Sequence, residues 1–470
     1  MGSTASASLV KVNEIVTEDR TRARLEALLP KVWPDAQARQ LFEAQLRLAE
    51  SQWFTPEAIE RHQLSRLKAL AGFASRSVPF WRGRIPLAEL EQASSLKAAL
   101  SLLPVLSRAE VRDNLGSLQA GELPSGHQIV GERTSSGSTG MVVAVKTTNV
   151  WIEWQNALTF RTQLWAGRDL DRPIAVIRRF PTGAAPYPQG LVDTSWAPRF
   201  VFPMPTGTAY YLETAGVSLE QQAEWLGRIK PDYLMTYPSI VRALAERAVL
   251  HGRPTPLLGI STVGEVVDPE TRELAVRYLD APIYDIYSSE EAGVIALECP
   301  VAPIYHVQAE ALIVEILDEN GNPCAPGETG RVIVTPLFNY AMPLIRYDIG
   351  DFAQAGGLCG CGRALPTLER IMGRRRNMLM LSDGRHFWPS FSARRLQRIV
   401  PIREHQFRQT APGVIEALLV TEAPISDAQE AEMRKIIGDA LPAPFDIRIR
   451  CLEKIPRPVS GKYEEFVSVV

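Results

Sequence analysis

Between residues 217 and 287 the sequence alternates helix and strand so regularly that few architectures can hold it. Apolar spacing predicts helices over 218–229, 239–251 and 269–279, and strands over 233–236, 258–263 and 282–287. The joints are short, so the strands must be joined by βαβ crossovers into a parallel sheet covered by helices. Ligands in such sheets sit beyond the carboxyl ends of the strands. Those ends read Tyr237-Pro238-Ser239, Gly264-Glu265 and Ser288-Ser289-Glu290-Glu291-Ala292-Gly293, so polar and acidic residues gather where a site belongs. Tyr237 and Ser239 are the candidates for contact with a substrate.

Upstream, helices are expected over 21–29, 35–50 and 55–75, the last opened by Thr55 as N-cap. Val78-Pro79-Phe80-Trp81 breaks the pattern and reads as a packing anchor. A helix over 150–164 and a buried strand over 173–177 follow, and Arg178-Arg179 after that strand reads as a solvated basic pair. Before them comes Glu132-Arg133-Thr134-Ser135-Ser136-Gly137-Ser138-Thr139-Gly140. Glycine and hydroxyl residues resist helix and suit a loop whose N–H groups and hydroxyls can wrap phosphate oxygens. A Ser/Gly linker has the same composition. A linker, however, is bordered by polar, Pro-rich sequence, whereas this stretch runs directly into Met-Val-Val-Ala-Val, a buried strand.

At 470 residues the chain exceeds what one core supports, so two or more domains are expected. A hydrophobic content of 46% with 22% charged residues is that of an ordinary globular protein. The net charge of −2 gives no reason to expect nucleic acid. No apolar run spans a bilayer and no signal peptide is present, so the expected location is the cytoplasm, with no membrane partner. Five cysteines cannot all pair, which fits a reducing compartment where clustered cysteines mean metal more often than disulfide.

Beyond residue 311 the style changes. Strands over 312–317 and 330–335 frame Asp318-Glu319-Asn320-Gly321, a β-hairpin region with an Asn-Gly turn. It leads into Pro343-Leu344-Ile345-Arg346-Tyr347-Asp348-Ile349-Gly350-Asp351. With these segments in this order the chain resembles the adenylate-forming enzymes, the superfamily of acyl- and aryl-CoA synthetases, and most of all its phenylacetate-CoA ligase branch. The likeness spans about the whole chain.

The resemblance implies an α/β fold with a large N-terminal adenylation domain over 1–372, including a β-rich part, and a small mobile α+β lid over 373–470. It implies a phosphate loop at Ser135, Ser136, Gly137, Ser138, Thr139 and Gly140, with Val143 where relatives often carry lysine. Asp285, Ile286 and Tyr287 match the adenine segment, the ring stacking on the base and the acidic residue reaching its amino group; Ser288, Ser289 and Glu290 continue it. Gly264 and Glu265 match the stretch across the base. Glu291 matches the glutamate that holds Mg²⁺, although Glu290 stands where relatives have Thr or Ser, so a slip of one residue would move the metal role. Asp351 matches the ribose-binding aspartate, Arg374 the arginine near the ribose, Arg376 the hinge, and Lys462, in Pro456-Arg457-Pro458-Val459-Ser460-Gly461-Lys462, the catalytic lysine.

The implied activity is ATP- and Mg²⁺-dependent conversion of a carboxylic acid, most simply an aromatic one, to an acyl adenylate and then a coenzyme A thioester. The branch suggests a homodimer. Passage of the adenylate to an amine, transfer of AMP to a cofactor hydroxyl, and nucleotide binding without turnover remain alternatives. Separately, Cys299, His306, Cys359 and Cys361 form a complete tetrahedral donor set of the kind zinc prefers, at irregular spacing, with Cys324 and Cys451 left over. The competing reading makes Cys299 a small buried hydrophobe and His306 a surface residue.

Overall fold

The computed structural model describes residues 36–134, 143–197, 205–251, 256–389, 391, 393–456 and 464–470, together with Leu25. The helix expected over 21–29 thus lies outside the described residues, save Leu25. The chain divides into two compact units: Met1–Ile349 with Ala353–Ile371, and Gly350–Phe352 with Met372–Val470.

The first unit opens with α1 (Ala36–Ser51) and α2 (Pro56–Ser77). Thr55 caps α2 as its sequence requires, its hydroxyl accepting from the Ala58 amide at 3.3 Å. Trp81 is fully buried, and its indole N–H donates to the Pro343 carbonyl at 3.0 Å, so the expected anchor pins the N-terminal helices to the β-rich part. Helix α3 (Arg108–Asp113) is opened by a capping box between Ser107 and Glu110. Strands β1 (Ile129–Thr134) and β2 (Ala144–Thr148) pair antiparallel on either side of residues 135–142, and α4 (Asn149–Trp165) follows.

The sheet of this unit uses β3 (Ile174–Arg178), β4 (Leu191–Asp193), β5 (Ala209–Glu213), β6 (Tyr233–Thr236), β7 (Gly259–Val263), β8 (Ile283–Ser289), β9 (Gly293–Glu298), β10 (Tyr305–Val307), β11 (Leu312–Leu317), β12 (Thr329–Pro336), β13 (Tyr347–Ala355) and β14 (Thr367–Arg374). Their order is β11-β12-β13-β14-β10-β9-β8-β7-β6-β3-β5-β4. Strands β3, β5, β6, β7 and β8 are parallel, β6, β7 and β8 being those the alternation predicts and β5 one the sequence did not announce, while β9 and β10 continue the sheet antiparallel. The sheet is therefore mixed.

Helices α5 (Leu219–Ile229), α6 (Pro238–His251) and α7 (Pro269–Leu274) cover one face of the parallel strands, burying Trp225, Val241 and Leu274 with Leu234, Ile260 and Ile283. The single helix expected over 269–279 changes pitch, its last turn over Ala275–Leu279 widening to a π turn. The Asn320-Gly321 turn forms within the connection 318–328 between the antiparallel β11 and β12, Gly321 taking φ +83° and donating its amide to the Asp318 carbonyl at 3.2 Å. One further reading is corrected. Arg178 is not solvated surface: it ends β3 half-buried, and only Arg179 is exposed.

In the second unit β15 (Leu379–Met380) and β16 (His386–Phe387) form a small ladder. Strands β17 (Ile402–Ala411), β18 (Val414–Thr421), β19 (Asp446–Cys451) and β20 (Phe466–Ser468) make a sheet ordered β19-β18-β17-β20. Helix α8 (Asp427–Asp439) adds Met433 and Ile437 to the core of this unit, where the rings of Phe391 and Phe407 stack at 3.9 Å. The second unit is thus a small α+β body.

Candidate active site

The hydroxyl loop, Ser135 to Gly140, lies outside the described residues, but its borders are in place. Strands β1 and β2 bracket it, and Val143 is buried at its exit. Arg133, at the end of β1, reaches Glu290 at 3.5 Å and lies over the Trp151 ring at 5.4 Å. The loop thus leaves and re-enters the fold close to the turn after β8.

That turn separates two adjacent carboxylates. Glu290 has half its side chain exposed, whereas Glu291 is 4% exposed. Glu291 accepts from Arg108 at 3.1 Å and from the Tyr347 hydroxyl at 3.4 Å, and Arg108 also donates to Tyr347 at 3.3 Å. A buried carboxylate needs such compensation to stay ionised. The turn is fixed by Gly293, at φ +75°, where any Cβ would collide with the Gln155 amide; the Gln155 oxygen accepts from the Val294 amide at 2.8 Å. Arg108, Tyr347 and Gln155 carry no role in the sequence reading.

Strand β8 engages its acidic candidate within the sheet. Asp285, expected to reach the amino group of a base, accepts from the Thr262 hydroxyl at 2.5 Å and from the Tyr305 hydroxyl at 2.8 Å, and is buried. Its amide donates to Glu298, which pairs with Arg272 at 2.7 Å. Burial raises the Asp285 carboxyl above its usual range against the lowering effect of those hydrogen bonds, and burial pushes Glu298 up to about 7 against Arg272. The Asp285 carboxylate therefore serves the sheet. Tyr287, on the same face, is only 7% exposed and packs in the main core, while Ile286 and Ser288 on the opposite face are half-buried. Ser289 accepts from the Ala292 amide at 3.0 Å.

At the neighbouring strand ends, Gly264 has φ +84° and Glu265 accepts from the Ser239 amide at 3.0 Å. Tyr237 is buried, its hydroxyl accepting from the Arg179 amide at 3.2 Å. The carboxyl ends of β3, β6 and β7 are thereby tied together by the candidate substrate residues.

The second unit holds the remaining candidates. Asp351 pairs with Arg374 at 3.4 Å, so the two residues assigned to the ribose meet. Arg376 forks onto Glu464 at 2.6 and 2.9 Å, next to the stretch 457–463. Lys462 lies in that stretch, outside the described residues.

The cysteine–histidine set comes together. The donor atoms of Cys299, His306, Cys359 and Cys361 all lie within 4.8 Å of one another, with Cys299 to Cys359 at 3.7 Å and Cys361 to His306 Nε2 at 3.3 Å. Thiolates held about 2.3 Å from a tetrahedral ion stand about 3.8 Å apart, so the spacing suits zinc. His306 is fully buried, its Nδ1 facing the Leu365 carbonyl at 3.4 Å and its ring edge-on to Trp165. That contact orients Nε2 toward the sulfurs. The surface-histidine reading fails here. Cys361, bonded by Cys299 and facing His306, is held well below the usual thiol range, and Cys299 is pushed up in return.

No protein-family model matches this sequence. A phenylacetate-coenzyme A ligase of Pseudomonas putida is 25% identical over 403 residues, spanning 82% of this chain and 86% of its own length. That of Escherichia coli (strain K12) is 26% identical over 377 residues, spanning 77% and 82%. Among solved structures, 2-hydroxyisobutyryl-CoA ligase in the postadenylation state shares the fold with a TM-score of 0.69 at 18% identity, over 88% of this chain and 90% of that one. Relatives of one kind over about four-fifths of both lengths, together with a solved acyl-CoA ligase of the same fold, make this chain similar to the phenylacetate-CoA ligase branch of the adenylate-forming superfamily.

Proposed function

We propose that this protein is an AMP-forming acid–thiol ligase that activates a carboxylic acid, of aromatic type, with ATP and passes the acyl group to coenzyme A. The acid's carboxylate oxygen attacks the α-phosphorus of ATP, the bond to the β-phosphate oxygen breaks, and pyrophosphate leaves with the electron pair. The sulfur of coenzyme A then attacks the acyl carbon and AMP departs. The observation that carries this reading is Glu291, a buried carboxylate in the turn after β8, at the carboxyl ends of the parallel strands and next to Glu290, which Arg133 of β1 meets.

The first step builds negative charge on a group already negative, so the protein must supply cations and N–H donors aimed at it. Ser135 to Gly140 supply donors, Arg108 sits beside Glu291, and Lys462 is the cation assigned to the α-phosphate. Mg²⁺, when bound, neutralises phosphate charge, and Glu291 is the residue to hold it. Asp351 and Arg374 are assigned to the ribose. The four-residue cysteine–histidine set, with three sulfurs, one imidazole and no open position, is the seat of a structural zinc. The five free cysteines fit a cytoplasmic enzyme, and the branch suggests a homodimer.

Exchange of labelled pyrophosphate into ATP, required to depend on an added acid, tests the first half-reaction. Mass detection of the second product distinguishes a coenzyme A thioester from an amide or an adenylylated cofactor. Acid-dependent exchange without thioester would leave adenylation and reject the ligase.

A further inference from the structure

Strand alternation gives the parallel sheet two unlike faces. Ala175, Leu234, Ile260 and Ile283 point into the helix-covered core. The opposite face carries Arg178 on β3, Met235 on β6, Ser261 and Val263 on β7, and Ile286 and Ser288 on β8, all of them half-buried. A parallel sheet is normally covered on both faces. Toward its start this face is closed by Phe180, Trp196 and Tyr233 over Ile174 and Val176, so it is the half-buried, mixed apolar and polar part at the carboxyl ends of the strands that has room for an organic ligand.

Arg178 stands at the β3 end of this face. Its Nε is buried, and no described residue gives its guanidinium a hydrogen bond or an ion pair. Glu213 is its direct neighbour across the β3–β5 register, yet Glu213 turns to the Gly183 amide at 2.9 Å and makes no ion pair with it. Glu265, on the next loop, accepts from Ser239, and Tyr237 accepts from the amide of Arg179. The one carboxylate that the register sets beside Arg178 thus has another engagement. A partly desolvated guanidinium is costly until an anion meets it, and its fork fits a carboxylate with two parallel bonds.

We propose that Arg178 is a specificity residue that receives a second anionic group on the acid, so the substrate is an apolar-bodied acid with a second carboxylate-like group remote from the one activated. The proposal rests on the acid-activation reading above. Coenzyme A also brings anionic groups, its phosphates, so the test must separate the two sources.

The test compares phenylacetic acid with its ring-carboxylated analogues by pyrophosphate exchange, then measures KM for coenzyme A, in full-length wild type, Arg178→Met and Arg178→Lys. Wild type is expected to prefer a dicarboxylate. In Arg178→Met the ratio of kcat/KM for dicarboxylate over phenylacetic acid should fall about a hundredfold, mainly through KM, because a site built to pair a polar group rejects its absence strongly. Arg178→Lys should recover part of that ratio. A ratio unchanged by both variants overturns the proposal, as does a change confined to KM for coenzyme A, which would hand Arg178 to the coenzyme's phosphates. Exchange with phenylacetic acid but with no dicarboxylate sinks this proposal alone, whereas exchange with no acid at all sinks the acid-activation reading along with it.

Discussion

Glu290 and Glu291 are one position apart in the chain and a whole environment apart in space. Glu290 meets Arg133 at the surface, where an ion pair contributes little. Glu291 is buried against Arg108 and Tyr347. Glu291→Gln should therefore lower adenylation by about tenfold or more at limiting Mg²⁺, partly recovered by raising Mg²⁺, because an amide oxygen is a poorer ligand than a carboxylate. Glu290→Gln should do much less; the opposite order of severity in Mg²⁺ titrations would transfer the metal role. Sequence alone favours Glu291 only through the Ala292-Gly293 that follows it, whereas the difference in environment comes from a partner 183 residues away. Arg108 itself went unnoticed because Ser107 and Glu110 give its segment a complete reading as a helix start. A signal was nonetheless present, for an arginine in the first turn of a helix opposes the helix dipole and asks for a reason. Asp285 shows the same dependence on distant partners. Its position in the motif was readable, but whether its carboxylate faces a ligand or the Thr262 and Tyr305 hydroxyls depends on how β7, β8 and β10 are arranged.

Elements were more legible than side-chain engagements, because periodicity is local. Strands β3, β6, β7 and β8 and helices α5 and α6 fall within a residue or two of their expected bounds, whereas β5 and the antiparallel half of the sheet depend on long-range pairing that no window of sequence contains. Two cross-links hold these elements together, and each is testable. Arg161 on α4 grips Glu310, between β10 and β11, at 2.7 and 3.1 Å, with Ser51 adding a third bond. Burial raises the Glu310 carboxyl, but Arg161 and the hydrogen bonds outweigh it and hold the group below its ordinary value. A depressed carboxyl stabilises the fold above its unfolded pKa of about 4.3 and loses that contribution as pH falls through the lower folded value. Arg161→Met should cost about 3–5 kcal/mol near neutrality, where it strands a buried charge. The gap from wild type should shrink on acidification, first above about pH 4.3 as the stranded carboxyl, raised by burial, takes up its proton, and then below it as the wild-type pair loses its own contribution. Denaturation curves showing a gap independent of pH would count against the pair. The second cross-link ties the β9–β10 hairpin to the segment between β13 and β14 through Cys299, His306, Cys359 and Cys361. Protein purified without chelator should contain about one zinc per chain, a closed site of this kind contributing on the order of 10 kcal/mol of apparent binding energy. Cys359→Ser should lower both zinc content and melting temperature while leaving nucleotide affinity largely intact. Stable, active, zinc-free protein would rule the metal out.

For the molecule as a whole, the division of labour between its two units is what remains to be measured. Glu291, the hydroxyl loop and the strand ends belong to the first unit, while Asp351, Arg374, Arg376 and Lys462 belong to the second. The two half-reactions differ in what they ask of a cation. Adenylation places new negative charge at the α-phosphate as the carboxylate attacks, so a lysine aimed there acts on the transition state and raises kcat. Thioester formation begins with that phosphate already esterified and moves its charge to the departing AMP, so the same lysine has less to stabilise. Arg376 is bonded to Glu464, just beyond the stretch that contains Lys462, which makes the return of that stretch to its strand a fixed point of the second unit. Lys462→Ala should therefore lower acid-dependent pyrophosphate exchange by about a thousandfold or more, the scale on which single charge-stabilising groups act in acyl and phosphoryl transfer. The same variant, given a synthetic acyl adenylate and coenzyme A, should form thioester within about tenfold of the wild-type rate. Stopped assays of the two half-reactions on one preparation would show the split directly, and equal loss in both would mean that Lys462 serves the fold of the second unit and not the first chemical step.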